Sequence, residues 1–125
     1  MSDYVPHFQE KEFACKCCGK GGIQEALREK IEAARILAGM PFIINSGYRC
    51  TKNQNDLIAQ GISEPTSSHP KGLAVDIKAD TSQSRWLIIE GLIKAGFRRI
   101  GIAKTFVHVD IDDSKDLNLI WLYGA

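Results

Sequence analysis

Long apolar runs are missing from this sequence. None approaches the roughly 20 residues of a membrane-crossing helix, so no membrane partner is expected. An excess of charge is missing too: 16 basic residues stand against 15 acidic ones, a net charge of +1. That balance makes no electrostatic case for nucleic acid or an anionic surface as a partner. Residues 1–13, MSDYVPHFQEKEF, have neither the basic nor the apolar region of an export leader, so synthesis in the cytoplasm is expected. No repeat, low-complexity tract or linker stands out. What remains is ordinary for a soluble globular protein: 125 residues, 44% apolar and 25% charged. This length fits one domain over 1–125, and a monomer is expected.

Periodicity supplies the elements. Ile23, Ala26, Leu27, Ile31, Ala34 and Leu37 recur at helical spacing, and Gly39 and Pro41 close that helix. PFIINSG reads as a short strand. TKNQNDLIAQG reads as a short helix with Thr51 as its cap and Gly61 as its stop. After the Pro/Ser/Gly loop ISEPTSSHPKG, LAVDIKA reads as a strand. SQSRWLIIEGLIKAG reads as a second long helix, capped by Ser82, with Trp86, Ile89, Leu92 and Ile93 on one broad face. FRRIGIA, TFVHVDI and LNLIWLYG complete a set of short strands. Such a mixture predicts an α+β fold.

Asp76 sits inside the apolar run LAVDI, and a carboxylate buried there needs a charge or hydrogen-bond partner. Histidine is scarce, with three copies, and two of them stand near strands of this kind. His69 lies in the loop before Asp76, with Gly72 between them to let the chain turn tightly. In TFVHVDI, side chains alternate, so Phe106, His108 and Asp110 share one face while Val107, Val109 and Ile111 take the core face. His69, Asp76 and His108 together make a two-histidine, one-carboxylate set. Three protein ligands plus water is the layout of a catalytic zinc site. Taken singly, a strand histidine is more often a hydrogen-bonded or surface residue, and a strand aspartate often pairs with a basic one.

Three of the four cysteines cluster in CKCCGKGG, and the fourth is Cys50. Cys15-x-x-Cys18-Gly19 is similar to half of a zinc knuckle, and a thiolate zinc site of Cys15, Cys17, Cys18 and Cys50 is one reading, although the second half of the knuckle is missing. A disulfide from Cys50 to one of the three, or free thiols, is the competing reading, and in a reducing compartment the thiols stay free.

SSHPKGLAVD resembles the Ser-x-His-x-x-Gly-x-Ala-x-Asp signature of the M15 zinc peptidases through Ser67, His69, Gly72, Ala74 and Asp76. NSGYRC is similar to that family's Ser-Gly-Tyr-Arg segment, and FVHVD to its His-x-Asp strand. The family comprises D-alanyl-D-alanine carboxypeptidases and related phage endolysins, similar in fold to the hedgehog signalling domain. The resemblance implies a small, mainly antiparallel sheet flanked by helices. It implies one zinc per chain held by His69, Asp76 and His108, with Arg49 and Ser67 facing the substrate. It implies peptidoglycan peptide as substrate, cleaved at a terminal or an internal bond. The missing leader fits an enzyme that waits in the cytoplasm until lysis, and it equally fits a virion-associated protein or an excised domain. One departure stands out. Several members carry an acidic general base a few residues before the last histidine, whereas here Thr105 occupies that region and no acid lies between Arg98 and His108. Asp110 becomes the candidate base or orienting residue, with Glu64 as the other possibility. A non-catalytic zinc-stabilised binding module is the alternative that this departure favours.

Overall fold

The computed structural model describes residues 7–63 and 67–124, and in them three α-helices are interleaved with the first strands of a set of five, the last three strands following without a helix between. Helix α1 spans Glu25–Ala38, strand β1 Ile44–Ser46, helix α2 Thr51–Ala59 and strand β2 Ala74–Lys78. Helix α3 spans Ser82–Lys94, followed by β3 (Arg99–Ile102), β4 (Phe106–Asp110) and β5 (Leu119–Leu122). The sheet order is β1–β2–β4–β3–β5. Every pairing is antiparallel except that of β3 with β5. This is the expected α+β class. No helix of the described residues is long and apolar enough to cross a membrane.

The alternation of strand side chains divides the sheet into two chemical faces. Val75, Ile77, Val107, Val109 and Ile100 point to one face, where Leu27, Ile31 and Ala34 of α1 and Ile88 and Leu92 of α3 cover them. Each large aliphatic side chain buried in this way contributes about 1.5–3 kcal/mol. The opposite face carries Asp76, His108 and Asp110. With α1 and α3 both on the apolar face, the polar row is left open to a cleft.

The helix boundaries shift by about a residue from those expected. Thr81, not Ser82, caps α3: its hydroxyl accepts from the Ser84 amide at 3.0 Å, and the Ser84 hydroxyl accepts from the Thr81 amide at 3.2 Å. Cys50, not Thr51, caps α2, its sulfur accepting from the Asn53 amide. The expected broad face of α3 is corrected as well. Trp86 and Ile93 are exposed, and the buried positions are Ile88, Gly91 and Leu92. Gly91 decides this orientation, because α1 crosses α3 there. His7 finds its partner in the α1 carboxylate Glu32, with its Nδ1 2.7 Å from Oε2.

The Gly91 crossing yields a prediction of sign. Alanine in place of an interior helix glycine ordinarily gains about 1 kcal/mol. A Cβ at Gly91 would lie 2.5 Å from the Ala34 carbonyl oxygen and 2.8 Å from the Ala38 Cβ, neither of which can swing away. Overpacking of this kind costs about 1–3 kcal/mol. Gly91→Ala should therefore lower the denaturation midpoint; an unchanged or raised midpoint would show that the helices part without cost.

Candidate metal centre

Register brings the site together. Across the sheet, Ser46 faces Asp76, Asp76 faces His108, His108 faces Gly101, and Gly101 faces Trp121. Directly opposed residues share a face and lie close enough to interact. Asp76 and His108 thus meet as a cross-strand pair, with His108 Nδ1 2.9 Å from Asp76 Oδ1. His69 arrives from the loop, on a short 3₁₀ turn that ends at Gly72 with φ of +72°. A Cβ at Gly72 would fall 2.0 Å from the Gly22 carbonyl oxygen, so only glycine fits this turn. The turn sets His69 Nε2 3.4 Å from Asp76 Oδ1.

Each histidine has its second nitrogen committed elsewhere. His69 Nδ1 donates to the Gly47 carbonyl at 2.8 Å, which leaves Nε2 free to accept a metal. His108 Nε2 lies 2.8 Å from Asp110 Oδ2, which leaves Nδ1 facing Asp76 and His69. Carbonyl and carboxylate partners of this kind set the tautomer and ring orientation of metal-binding histidines. The donor atoms of His69, Asp76 and His108 all lie within 4.8 Å of one another and all three residues are buried. Ligands about 2.0–2.1 Å from a tetrahedral zinc fit separations of this size. The residues present therefore fit a zinc ion.

A second layer holds these groups. Arg99 Nε donates to Asp110 Oδ1 at 2.7 Å, and the Asp112 amide donates to the same oxygen at 3.1 Å. Arg99 also donates to the Asp116 carbonyl and stacks on Trp121, its guanidinium carbon 5.0 Å from the ring. Asp112 accepts from Ser68 at 2.7 Å and from Lys71 at 3.1 Å, tying the His69 loop to the end of β4. Arg49 is buried beside Asp76, its Nη2 3.6 Å from Oδ2. Its other nitrogens donate to Ser46, Gln54 and Ser63, which fix the guanidinium plane. Ser67 lines the cleft and accepts from the His69 amide at 3.3 Å. Thr105 is exposed ahead of β4, and Glu64 lies outside the described residues.

Electrostatics follow from these contacts. Burial alone would raise the Asp76 carboxyl, but His108 and His69 overcome it and hold the group well below the usual carboxylate range. Asp110 is likewise held low against its burial, by His108 first and then by the Asp112 amide and Arg99. Burial works against the charged form of His108, yet Asp110 and Asp76 together raise its pKa.

Above this row opens a cleft of about 650 Å³, walled by Phe106, Trp121 and Tyr123. Trp121 lies against His108, ring centres 5.6 Å apart, because Gly101 has no side chain: a Cβ there would come 2.7 Å from the indole. Among the described residues, Asp76 and Asp110 are the carboxylates that line the cleft. Arg99, Asp112 and Trp121 were not singled out from the sequence. Asp112 continues the period-two series of His108 and Asp110, and that pattern was a usable signal.

Two histidines and one carboxylate, supported from beneath and open to a cleft, are the donor set of a catalytic rather than a closed structural zinc site. The chain belongs to the Peptidase M15 family, whose model matches residues 6–112. Membership makes it a peptidase, in a family that is generally zinc-dependent. No curated protein matches the chain.

Asp112 supplies a pH prediction. Against its burial, the hydroxyls of Ser114 and Ser68 and the Lys71 ammonium hold its carboxyl well below the ordinary value. A depressed carboxylate contributes stability above its unfolded pKa of about 3.9 and loses it as the pH falls toward the folded value. Asp112→Asn should cost about 2 kcal/mol at neutral pH. That gap to the parent should shrink below about pH 4. Denaturant melts at neutral and acidic pH check both; a gap that widens in acid would contradict the assignment.

Proposed function

We propose that this M15 family member is a zinc-dependent peptidase acting on the peptide of bacterial peptidoglycan, as a D-alanyl-D-alanine carboxypeptidase or an endopeptidase of the cell wall. The observation that carries the reading is the convergence of His69 Nε2, Asp76 and His108 Nδ1 beneath an open cleft, with the second nitrogen of each histidine tied down. Zinc held there would supply Lewis-acid polarisation of a carbonyl and a water whose pKa is near about 7.

The chain's own residues do the rest. Arg49, its plane fixed by Ser46, Gln54 and Ser63, offers permanent positive charge to a substrate carboxylate or to the oxyanion that develops at the scissile carbonyl. Ser67 holds the His69 loop and faces the substrate backbone. The aromatic wall excludes water and packs against the peptide. Asp110 has donors on both oxygens, which supports an orienting role at His108 in place of the role of general base. Glu64, in the loop before Ser67, is then the acid to test as base. The enzyme would act after release from the cytoplasm at lysis, as a monomer.

A second reading, a non-catalytic zinc-stabilised cell-wall binding module, draws on one observation. Among the described residues the cleft holds no carboxylate beyond Asp76 and the doubly engaged Asp110.

Incubation with purified peptidoglycan separates the two readings. New amino termini or free D-alanine are expected from the parent chain, and none from His69→Ala or Asp76→Ala, each of which should lose the metal of this site. Asp110→Asn should retain the fold and lose about 10–100-fold in metal affinity or activity. Binding to peptidoglycan with no product would establish the module. A metal content unchanged by His69→Ala and Asp76→Ala would sink both.

A further inference from the structure

The cysteines converge although Cys50 lies 33 residues beyond Cys17 in the chain. The four sulfurs of Cys15, Cys17, Cys18 and Cys50 all lie within 4.8 Å of one another. Cys17 and Cys50 are 3.2 Å apart, Cys15 and Cys17 3.5 Å, and all four thiols are free. Zinc–sulfur bonds of about 2.3 Å in a tetrahedron place sulfurs about 3.8 Å apart, which this cluster approximates.

Backbone geometry supports the cluster on both sides. Residues 15–19 close a tight turn, in which the Gly19 amide donates to the Cys15 carbonyl at 2.8 Å and Gly19 adopts φ of +73°. The Cys15 amide then bonds the Lys20 carbonyl at 2.9 Å. Cys50 enters from the opposite side, at the start of α2. Three N–H groups aim at sulfur: the Cys50 amide and Asn53 Nδ2 at Cys15, 3.4 and 3.5 Å away, and the Asn53 amide at Cys50, 3.4 Å away. Donors of this kind favour sulfur that carries negative charge. Cys17 and Cys18 are exposed, so hydrophobic burial does not account for the gathering.

We propose that Cys15, Cys17, Cys18 and Cys50 hold one zinc ion in a closed tetrathiolate site, separate from His69, Asp76 and His108. The soft donor set selects a thiophilic cation and rejects magnesium and calcium. Four protein ligands leave no open position, so the site is structural. It clamps the N-terminal segment to the start of α2, one residue from Arg49. The Tyr48 amide reinforces the same junction by donating to the Phe13 carbonyl at 2.8 Å. Thiol protons pass to solvent as the metal binds.

The test uses the full chain, grown with zinc and purified under reducing conditions without chelator. Metal analysis should give two zinc ions per chain. His69→Ala/His108→Ala should keep one, and Cys15→Ser/Cys50→Ser should keep one. Should the cysteine variant fail to fold, cobalt titration of the His69→Ala/His108→Ala chain carries the test alone. One equivalent should develop thiolate-to-metal charge-transfer absorption. A metal-free histidine variant whose four thiols all react freely would overturn the proposal. So would a native mass showing a Cys17–Cys50 disulfide, or iron in place of zinc. The cobalt titration of the histidine variant leaves the cleft site out, so its outcome is independent of the reading of the cleft.

Discussion

A carboxylate buried between two histidines organises this molecule. Asp76 stands in the middle of an inner strand, where an ionised group without partners would cost far more than a small domain can spare. It is tolerated because His108 opposes it directly, His69 reaches it from the loop, and Arg49 lies against its second oxygen. Removing any one partner leaves buried charge uncompensated, the costly direction for such clusters. The cluster therefore demands an exact register between β2 and β4. A slip of one residue would send Asp76 into the helix-covered core and Val75 into the cleft.

Support spreads outward from that pair in a consistent pattern. Asp110 pins His108, Arg99 pins Asp110, and Trp121 covers Arg99. On the other side, the Gly47 carbonyl pins His69, and Asp112 pins Ser68 just before it. Charge alternates through these layers, with Asp110 against His108, Arg99 against Asp110 and Lys71 against Asp112, so that each buried charge meets an opposite one or a hydrogen-bond partner. This arrangement supports the orienting role proposed for Asp110. A general base needs an oxygen free to take a proton from water, whereas both oxygens of Asp110 are held by donors within 3.1 Å.

Local signals made much of this legible in advance. Alternation in TFVHVDI placed His108 and Asp110 on one face and the valines on the other, because strand geometry allows nothing else. Gly72 marked a turn that no other residue can make. What could not be read was anything set by tertiary register. The direct facing of Asp76 and His108 and the stacking of Arg99 on Trp121 depend on which strands neighbour which. The α3 face failed for a related reason. Trp86 and Ile93 have the apolarity of core residues, but the close approach of α1 at Gly91 rotates them outward, and small residues at a crossing carry no hydrophobic signal.

Arg49 lies between the His69–Asp76–His108 cluster and the cysteine cluster. Its guanidinium faces Asp76, while its backbone joins Gly47 and Tyr48, which contact His69 and Phe13, to Cys50, which contacts the N-terminal turn. The strand before it, β1, is only three residues long and pairs irregularly with β2. So short an edge strand has little capacity to hold a buried arginine in one plane. The contacts from Ser46, Gln54 and Ser63 fix the tip of the side chain, but Gln54 and Ser63 themselves belong to α2 and the turn beyond it. Holding the start of α2 against the N-terminal turn is thus what gives those contacts a fixed base. A closed clamp at the cysteines would act on the cleft through this route, by limiting where α2 can begin, without touching substrate.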